Sequence, residues 1–450
     1  MISEVFLNRM KNMLGEEYAE FERALSEEAV KGVRVNMSKI SVEDYLRVTE
    51  LDLTPLSYAD YGFIPQSADG IGTKAEHHAG MIYVQDPGAM ATVTALDVRR
   101  GWHVLDACSA PGGKASQLAA LIGDEGFILA NEYVPKRAKI IVGNFERLGI
   151  KNAVVTSLDT AKLAGMFSAY FDLVLCDAPC SGEGMFRKYD EAVSEWSEEN
   201  VALCAERQRE ILANCAKTVK SGGYLLYSTC TYSKEENEDT VRAFLDSHPD
   251  FSIVSVNERL IDSTAPGLDG MSEARRFYPH IAKGEGQFIA LMKKDENSAD
   301  SPTILYKNAA KPLSKDEVRV TEKFISDTFS SKPEGRFIKS GEQIVLITHD
   351  VPIPEHSVFM SGVLMGEIRK GIFSPHHQLF SAYGSDMKLR VNLLRGDARV
   401  AKYLRGEEID TEEQKSGWCA VCYEGVPIGG GKISSGKVKN HYPKGLRNNK

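Results

Sequence analysis

The sequence predicts an α/β protein, a mostly parallel sheet covered by helices on both faces, with smaller modules before and after it. Two observations carry that prediction. From about residue 80 to residue 295, short apolar runs alternate with amphipathic helical segments, the pattern of buried strands joined by crossover helices. The chain is also 450 residues long, roughly two to three times a typical domain, so more than one folded unit is expected.

Residues 1–75 are expected to form an N-terminal accessory domain. Phe6, Met10 and Leu14, then Tyr18, Phe21 and Leu25, fall at helical spacing, and GVRVN (32–36) reads as a short strand. The core is expected at 76–295. Its strands are HVLDAC (103–108), FILANE (127–132), AVVTS (153–157), FDLVLCDA (171–178) and GYLLYSTC (223–230), with helices expected at 113–122, 135–148 and 199–219. FSIVSV (251–256) and GQFIALMKK (286–294) are expected to close the sheet as an antiparallel pair. The polar run KKDENSADSP (293–302) reads as a linker. Beyond it, a mixed α+β domain is expected at 303–383 and a Gly-rich, strand-like domain at 384–450, containing WCAVCYEGVPIGGGKI.

No run approaches the roughly 20 apolar residues of a membrane span, and the opening MISEVFLNRMKNMLGEEY is amphipathic and carries acids, unlike a signal peptide. A cytoplasmic protein with no membrane partner is expected. The eight cysteines, several inside apolar runs, fit reduced thiols, and Cys176, Cys204 and Cys215 fit core packing. Cys419 and Cys422 form a CxxC without a second pair or a histidine at ligand spacing, so no metal is expected; His376 and His377 read as surface or core residues. The net charge of −9 excludes a uniformly cationic coat for indiscriminate binding to nucleic acid. Yet the stretch 429–450 carries Lys432, Lys437, Lys439, Lys444, Arg447 and Lys450 and no acid, which fits either a solvated tail or a local nucleic-acid contact.

The run VLDACSAPGGKASQLAAL places an apolar strand, an acid and a turn of small residues before a helix. Backbone N–H groups can then approach a ligand, with Gly112 and Gly113 removing Cβ atoms that would block it. Glu132 ends the next strand, where an acid accepts from both hydroxyls of a ribose, and Asp159 follows the third, placed for an adenine amino group. The turn is neither a phosphate-cradling GxxxxGK[ST] nor a dinucleotide GxGxxG, so a nucleoside without phosphates, such as S-adenosyl-L-methionine, fits best.

Cys180 in DAPCSGEGMFRK and Cys230 in YSTCTYSKEENE both stand at strand C-terminal ends, where ligands bind in open parallel sheets. On neighbouring strands about 4.8 Å apart, their thiols can converge on one substrate atom. Two thiols suit methylation at C5 of a cytosine. One adds to C6 and turns the ring into an enamine-like nucleophile; the other removes the C5 proton so that the first can leave. Asp177 can hydrogen-bond the ring at N3. Either cysteine could be the attacker, because DNA cytosine-5 methyltransferases place theirs in a Pro-Cys pair. Arg187 and Lys188 are candidates for holding phosphates, and Arg137 either reaches the cofactor or pairs with an acid.

With DACSAPGGK, DAPCSGEG and YSTCTYSKEENE in that order, the chain resembles the Nop/Sun family of RNA cytosine-5 methyltransferases across roughly residues 30–295. YVQDPGAM (83–90), RRFYPH (275–280) and GEGQF (284–288) add to the likeness. The resemblance implies a Rossmann-like, S-adenosylmethionine-dependent core. It implies that Cys108, Ser109, Ala110, Pro111, Gly112, Gly113 and Lys114, with Glu132, Asp159 and Asp177, bind the cofactor, that Cys230 attacks and that Cys180 is the release base. Ser109 stands where many members have alanine. GGGKISSGKVKNHYPKGLR is similar to the ends of bacterial small-subunit ribosomal RNA members with a PUA-like RNA-binding domain. Lys437, Lys439 and Lys444 are therefore expected to contact RNA. Ribosomal RNA is the favoured partner, transfer RNA the alternative, a non-catalytic assembly factor the rival from another class, and a monomer the expected state.

Overall fold

The computed structural model describes residues 2–298, 303–304, 311–349, 353–354 and 356–448. Residues 299–302 of the expected linker, 305–310, 350–352 and 355 of the expected third domain, and Lys450 lie outside the described residues.

Period-two alternation divides the core strands between two apolar layers. Val104, Ile128, Leu226 and Ile289 face one layer with Leu118, Ile141 and Phe145; their neighbours Leu105, Leu129, Leu225 and Phe288 face the other with Leu212 and Val241. Each fully buried side chain of this kind contributes about 1.5–3 kcal/mol of transfer free energy. Burial on both faces is why the strands read as unbroken apolar runs.

Five parallel strands, β1 (His103–Asp106), β2 (Phe127–Asn131), β3 (Ala153–Thr156), β4 (Phe171–Asp177) and β5 (Val219–Thr229), lie in the order β3-β2-β1-β4-β5. The order reverses between β1 and β4, and the crevice at their carboxyl ends is the ligand position of a doubly wound sheet. β6 (Phe251–Val254), β7 (Ala265–Pro266), β8 (Arg275–Phe277) and β9 (Gln287–Lys294) follow; β6 pairs antiparallel with β9, as expected, and β9 with β5. The helix expected at 199–219 ends at Ala216, and β5 starts at Val219 rather than at residue 223.

The opposite edge holds a strand that no local pattern announces. β10 (Val358–Ser361) comes from the C-terminal region and pairs antiparallel with β3, making the sheet ten-stranded. The expected core at 76–295 thus lacks its own edge, because the pairing is non-local. The N-terminal sheet also crosses an expected boundary. Its order is Leu53–Leu56, Ala59–Pro65, Gly32–Val35, Ile82–Gln85, and the last strand lies beyond residue 75. The apolar IYVQ resembles a first core strand, but it pairs with Gly32–Val35 instead.

Two N-terminal helices, Glu4–Leu14 and Tyr18–Leu25, bury Phe6, Met10 and Phe21 against Phe186, Trp196, Tyr232 and Tyr278 of the core. The run RVNMSK joins three parts of the molecule. Arg34 donates into the start of the helix Gly113–Ile122, Asn36 Nδ2 to the carbonyls of Gly80 and Leu148 (2.9 Å each), and Lys39 Nζ to Pro427 O (3.2 Å). The C-terminal region holds two five-stranded sheets. The first runs Lys311–Pro312, Arg336–Ser340, Gln343–Ile347, Val363–Arg369, Ile372–Pro375; the second runs Arg390–Leu393, Gly417–Tyr423, Val426–Ser434, Lys437–Asn440, Ile409–Asp410. Cys419 and Cys422 are buried in the second, in two different apolar clusters. Among the described residues no helix is long and apolar enough to cross a membrane.

Candidate active site

The carboxyl ends of β4 and β5 set the chemistry. Asp177 and Ser228 are paired in register, so the residues after them leave the sheet side by side. Cys180 and Cys230 meet there, Sγ to Sγ 3.2 Å, both half-buried. Contact with Cys230, then burial, pushes the Cys180 thiol well above its ordinary range. Asp177 accepts from Ser228 Oγ at 2.6 Å and from Lys114 Nζ at 2.7 Å. Burial alone would push the Lys114 ammonium down, but Asp177 outweighs it and holds it above the usual value, with Cys230 adding to the effect. Lys114, expected on the cofactor side, therefore stands between the loop and the cysteines.

Two glutamates missed in the sequence reading fix the cysteine loops to each other. Glu183, 2% exposed, accepts from Trp196 Nε1 (2.8 Å), Thr231 Oγ1 (2.9 Å), Tyr232 N (2.9 Å) and Ser233 Oγ (2.7 Å). Glu236 accepts from Ser181 N (3.0 Å), Ser181 Oγ and Gln208 Nε2 (2.7 Å), and burial pushes its carboxyl up to about 7. The signal was available, since both acids lie inside SGEG and EENE. Gly184 is required by close approach: its N–H donates to Cys230 O at 2.9 Å, and a Cβ there would lie 2.7 Å from Gly286 O.

The loop Cys108–Lys114 turns at a cis Ala110–Pro111 peptide into the helix Gly113–Ile122. Gly112 stands at φ 100°, which favours glycine. A Cβ on Gly113 would meet the Tyr83 ring at 3.2 Å, so this glycine serves packing against the N-terminal sheet rather than ligand approach. Asp106 and Ser109 are buried together at the end of β1; burial, then Asp177, pushes Asp106 up to about 7, against the opposing pull of the Ser109 hydroxyl and the Cys108 backbone. Burial likewise raises the half-buried Cys108 thiol. Glu132, 4% exposed at the end of β2, accepts from Val134 N at 2.9 Å and lies 3.4 Å from Arg137, which thus pairs with an acid. Asp159 is exposed and caps the helix Thr160–Met166 through Ala161 N (2.8 Å). Asn131, also missed, knits the three strand ends: Nδ2 donates to Ala107 O and Leu158 O, and Oδ1 accepts from Thr156 Oγ1 and Leu158 N. A buried carboxyl at the end of β1 and a second at the end of β2 fit a nucleoside that brings an ammonium tail and a ribose diol.

Residues 93–293 match the family described as 16S rRNA methyltransferase RsmB/F, residues 2–87 the N-terminal domain of 16S rRNA methyltransferase RsmF, and residues 391–448 the methyltransferase RsmF PUA domain. Ribosomal RNA small subunit methyltransferase F of Vibrio vulnificus (strain YJ016) is 32% identical over 99% of this chain and 97% of its own. The Serratia proteamaculans (strain 568) protein of that name is 30% identical over 92% and 90%. The chain belongs to the RsmF-like Sun family of methyltransferases. A methyltransferase homologue from Pyrococcus horikoshii, 28% identical, superposes with a TM-score of 0.57 over 65% of this chain and 95% of that one. NSun6 from the same organism, 23% identical, gives 0.57 over 65% and 98% and shares the fold. The cofactor of this RsmF-like enzyme is S-adenosyl-L-methionine.

Arg187 and Lys188, read as candidates for holding phosphates, are both paired within the protein. The Arg187 side chain, 4% exposed, donates to Glu285 (2.8 Å), Gly284 O (2.7 Å) and Ala24 O (3.0 Å). Lys188 pairs with Asp86 at 2.7 Å. Both tie the Cys180 loop to the GEG turn and the N-terminal region, through partners too distant in sequence to be foreseen. Lys437, Lys439 and Lys444 are exposed, away from the cysteines in the chain and on a separate sheet or beyond it.

Proposed function

We propose that this enzyme methylates C5 of a cytosine in small-subunit ribosomal RNA, with Cys230 as covalent nucleophile and Cys180 as release base. The thiol pair beside Lys114–Asp177 carries the reading. Cys180 is held protonated by its neighbour and by burial, and the ammonium of Lys114, paired with Asp177, stands on the Cys230 side of the pair. The Cys230 thiolate adds to C6, and the displaced electron pair makes C5 nucleophilic while Lys114 and Asp177 supply polar contacts to the ring. S-adenosyl-L-methionine, when bound, supplies an electrophilic methyl group. The loop Cys108–Lys114, Glu132, Asp159 and Asp106 are the groups that hold and orient it. With Cys230 bonded to carbon, Cys180 loses the contact that chiefly raised it and becomes available, once deprotonated, to take the C5 proton. The pair from that C–H bond re-forms the C5–C6 double bond and the S–C6 bond breaks, freeing Cys230.

The proposed layout is an N-terminal module reaching to about residue 86, a methyltransferase core completed by β10, and C-terminal modules in which Lys437, Lys439 and Lys444 contact RNA. The protein acts as a cytoplasmic monomer. The test is transfer of labelled methyl to unmodified small-subunit ribosomal RNA, with transfer RNA in parallel and nucleoside analysis of both. We expect 5-methylcytidine in ribosomal RNA, lost in Cys230→Ala, and a protein–RNA adduct that accumulates in Cys180→Ala. Full activity in Cys230→Ala overturns the mechanism, and label in transfer RNA alone overturns the substrate.

A further inference from the structure

One face of the second C-terminal sheet is packed at one end, where Ala420 and Cys422 are buried with Phe380 and Trp418 lies against them, and open at the other. Along Val426–Ser434 and Lys437–Asn440 the pattern alternates: Ile433 and Val438 are buried in the apolar core, while Lys432, Ser434, Lys437 and Lys439 point outward and are exposed. Register places Trp418 directly opposite Lys432, and Lys432 directly opposite Lys439, so the three form a row across the strands on one face. His441, two residues past Lys439, lies beside that row next to Gly430, its ring edge-on to that of Trp418 with centroids 4.6 Å apart. Lys432 Nζ lies 5.8 Å from the Trp418 ring centroid.

Directly opposed like charges destabilise a sheet, yet Lys432 and Lys439 face each other with Lys437 beside them. Among the described residues none of the three has a carboxylate within 4 Å; Asp410, opposite Lys437 at the sheet edge, is the nearest acid by register. Burial and the neighbouring lysines push the His441 imidazole below its usual value, so it is neutral at pH 7, a planar ring able to stack. A cationic face with two aromatic rings at its centre is complementary to a polyanion whose bases are unstacked.

We propose that this face, Trp418 and His441 flanked by Lys432, Lys437 and Lys439, binds a single-stranded segment of RNA. A base lies against the Trp418–His441 pair and the lysines take the flanking phosphates. Lys444 lies outside the row, in the turn Lys444–Leu446. The inference rests on the RNA-methylating reading above and adds what kind of RNA is held, and by which side chains.

The test measures binding of the full-length protein to a fluorescent 12-nucleotide single strand of ribosomal sequence and to the same sequence fully paired, over a range of salt. Removing three phosphate contacts by Lys432→Gln, Lys437→Gln and Lys439→Gln together should reduce the slope of log affinity against log salt by about 2 on the single strand. Trp418→Ala should weaken the single strand about tenfold and leave the duplex unchanged, with Trp418→Phe restoring most of the loss. An unaltered slope in the triple variant overturns the face as the RNA contact. Equal loss on strand and duplex in Trp418→Ala overturns stacking. The exposed lysines keep the test open if Trp418→Ala fails to fold. A wild-type protein that binds S-adenosyl-L-methionine but no RNA of either form defeats the RNA-methylating reading itself.

Discussion

Two regions bury charge without an oppositely charged partner in hydrogen-bond contact, and they do so for different ends. Beneath the cysteines, Glu183 and Glu236 are held by hydroxyls, amides and an indole; Ser181, Thr231, Tyr232 and Ser233 come from the same motif loops. At the seam between the N-terminal sheet and the core, Arg34, 1% exposed, donates to Gln85 Oε1 (2.7 Å), Ser116 Oγ (2.7 Å) and Gly113 O (3.3 Å). The carboxylates wire two adjacent loops together. The guanidinium spans two modules and lowers into the cofactor helix beside Lys114. Neutral partners fix the geometry in both places, and burial acts alike on the two charges: Glu236 is pushed up and Arg34 down, to about 10, so each is biased toward its neutral form.

The contrast can be broken by substitution. The largest effect is expected for Glu183→Ala, which orphans four buried donors at about 1–3 kcal/mol each for those that water cannot reach. A large fall in the thermal midpoint, with loss of methyl transfer, is the expected result; a midpoint within a degree of wild type would show that the loops are held elsewhere. Arg34→Met should cost less, about 1–3 kcal/mol, because removing the cation also relieves its own desolvation. Equal damage from the two substitutions would erase the distinction. The next test uses pH. Asp106 and Glu236 are both pushed up to about 7 in the folded protein, against about 3.9 and 4.3 unfolded. Folding therefore takes up protons between those values, so their contribution to stability is greatest at low pH and falls as pH rises from about 4 to 7. Glu236→Gln should flatten the decline in thermal midpoint between about pH 4 and 7; an unchanged profile would assign the decline to other groups. The smallest change in stability is expected for Asp159→Ala, about 1 kcal/mol for a lost helix cap. Isothermal titration should also show weaker cofactor binding, and unchanged affinity would leave Asp159 a cap alone.

What was legible in the sequence was whatever lay within one contiguous run. The cofactor loop, the strand-end cysteines and the alternation of strands and helices each depend on neighbours in the chain, and their residue types announce the chemistry. Pairings across the chain were not legible. Arg187 read as a phosphate ligand because its partner Glu285 belongs to another motif. The pairing of Lys114 with Asp177 was not foreseen because the two stand 63 residues apart in different motifs. IYVQ was placed with the core because an apolar run does not reveal which sheet it joins.

β10 carries a consequence for the growing chain. During synthesis the whole methyltransferase core emerges before the strand that covers the free side of β3, and until Val358–Ser361 arrives that side presents unpaired backbone groups. The nascent enzyme thus passes through an interval in which its central sheet is assembled but open to any extended peptide. Truncation before residue 358 should yield a core that self-associates through β3, read by light scattering, whereas supplying the missing strand in trans as a peptide should suppress that association.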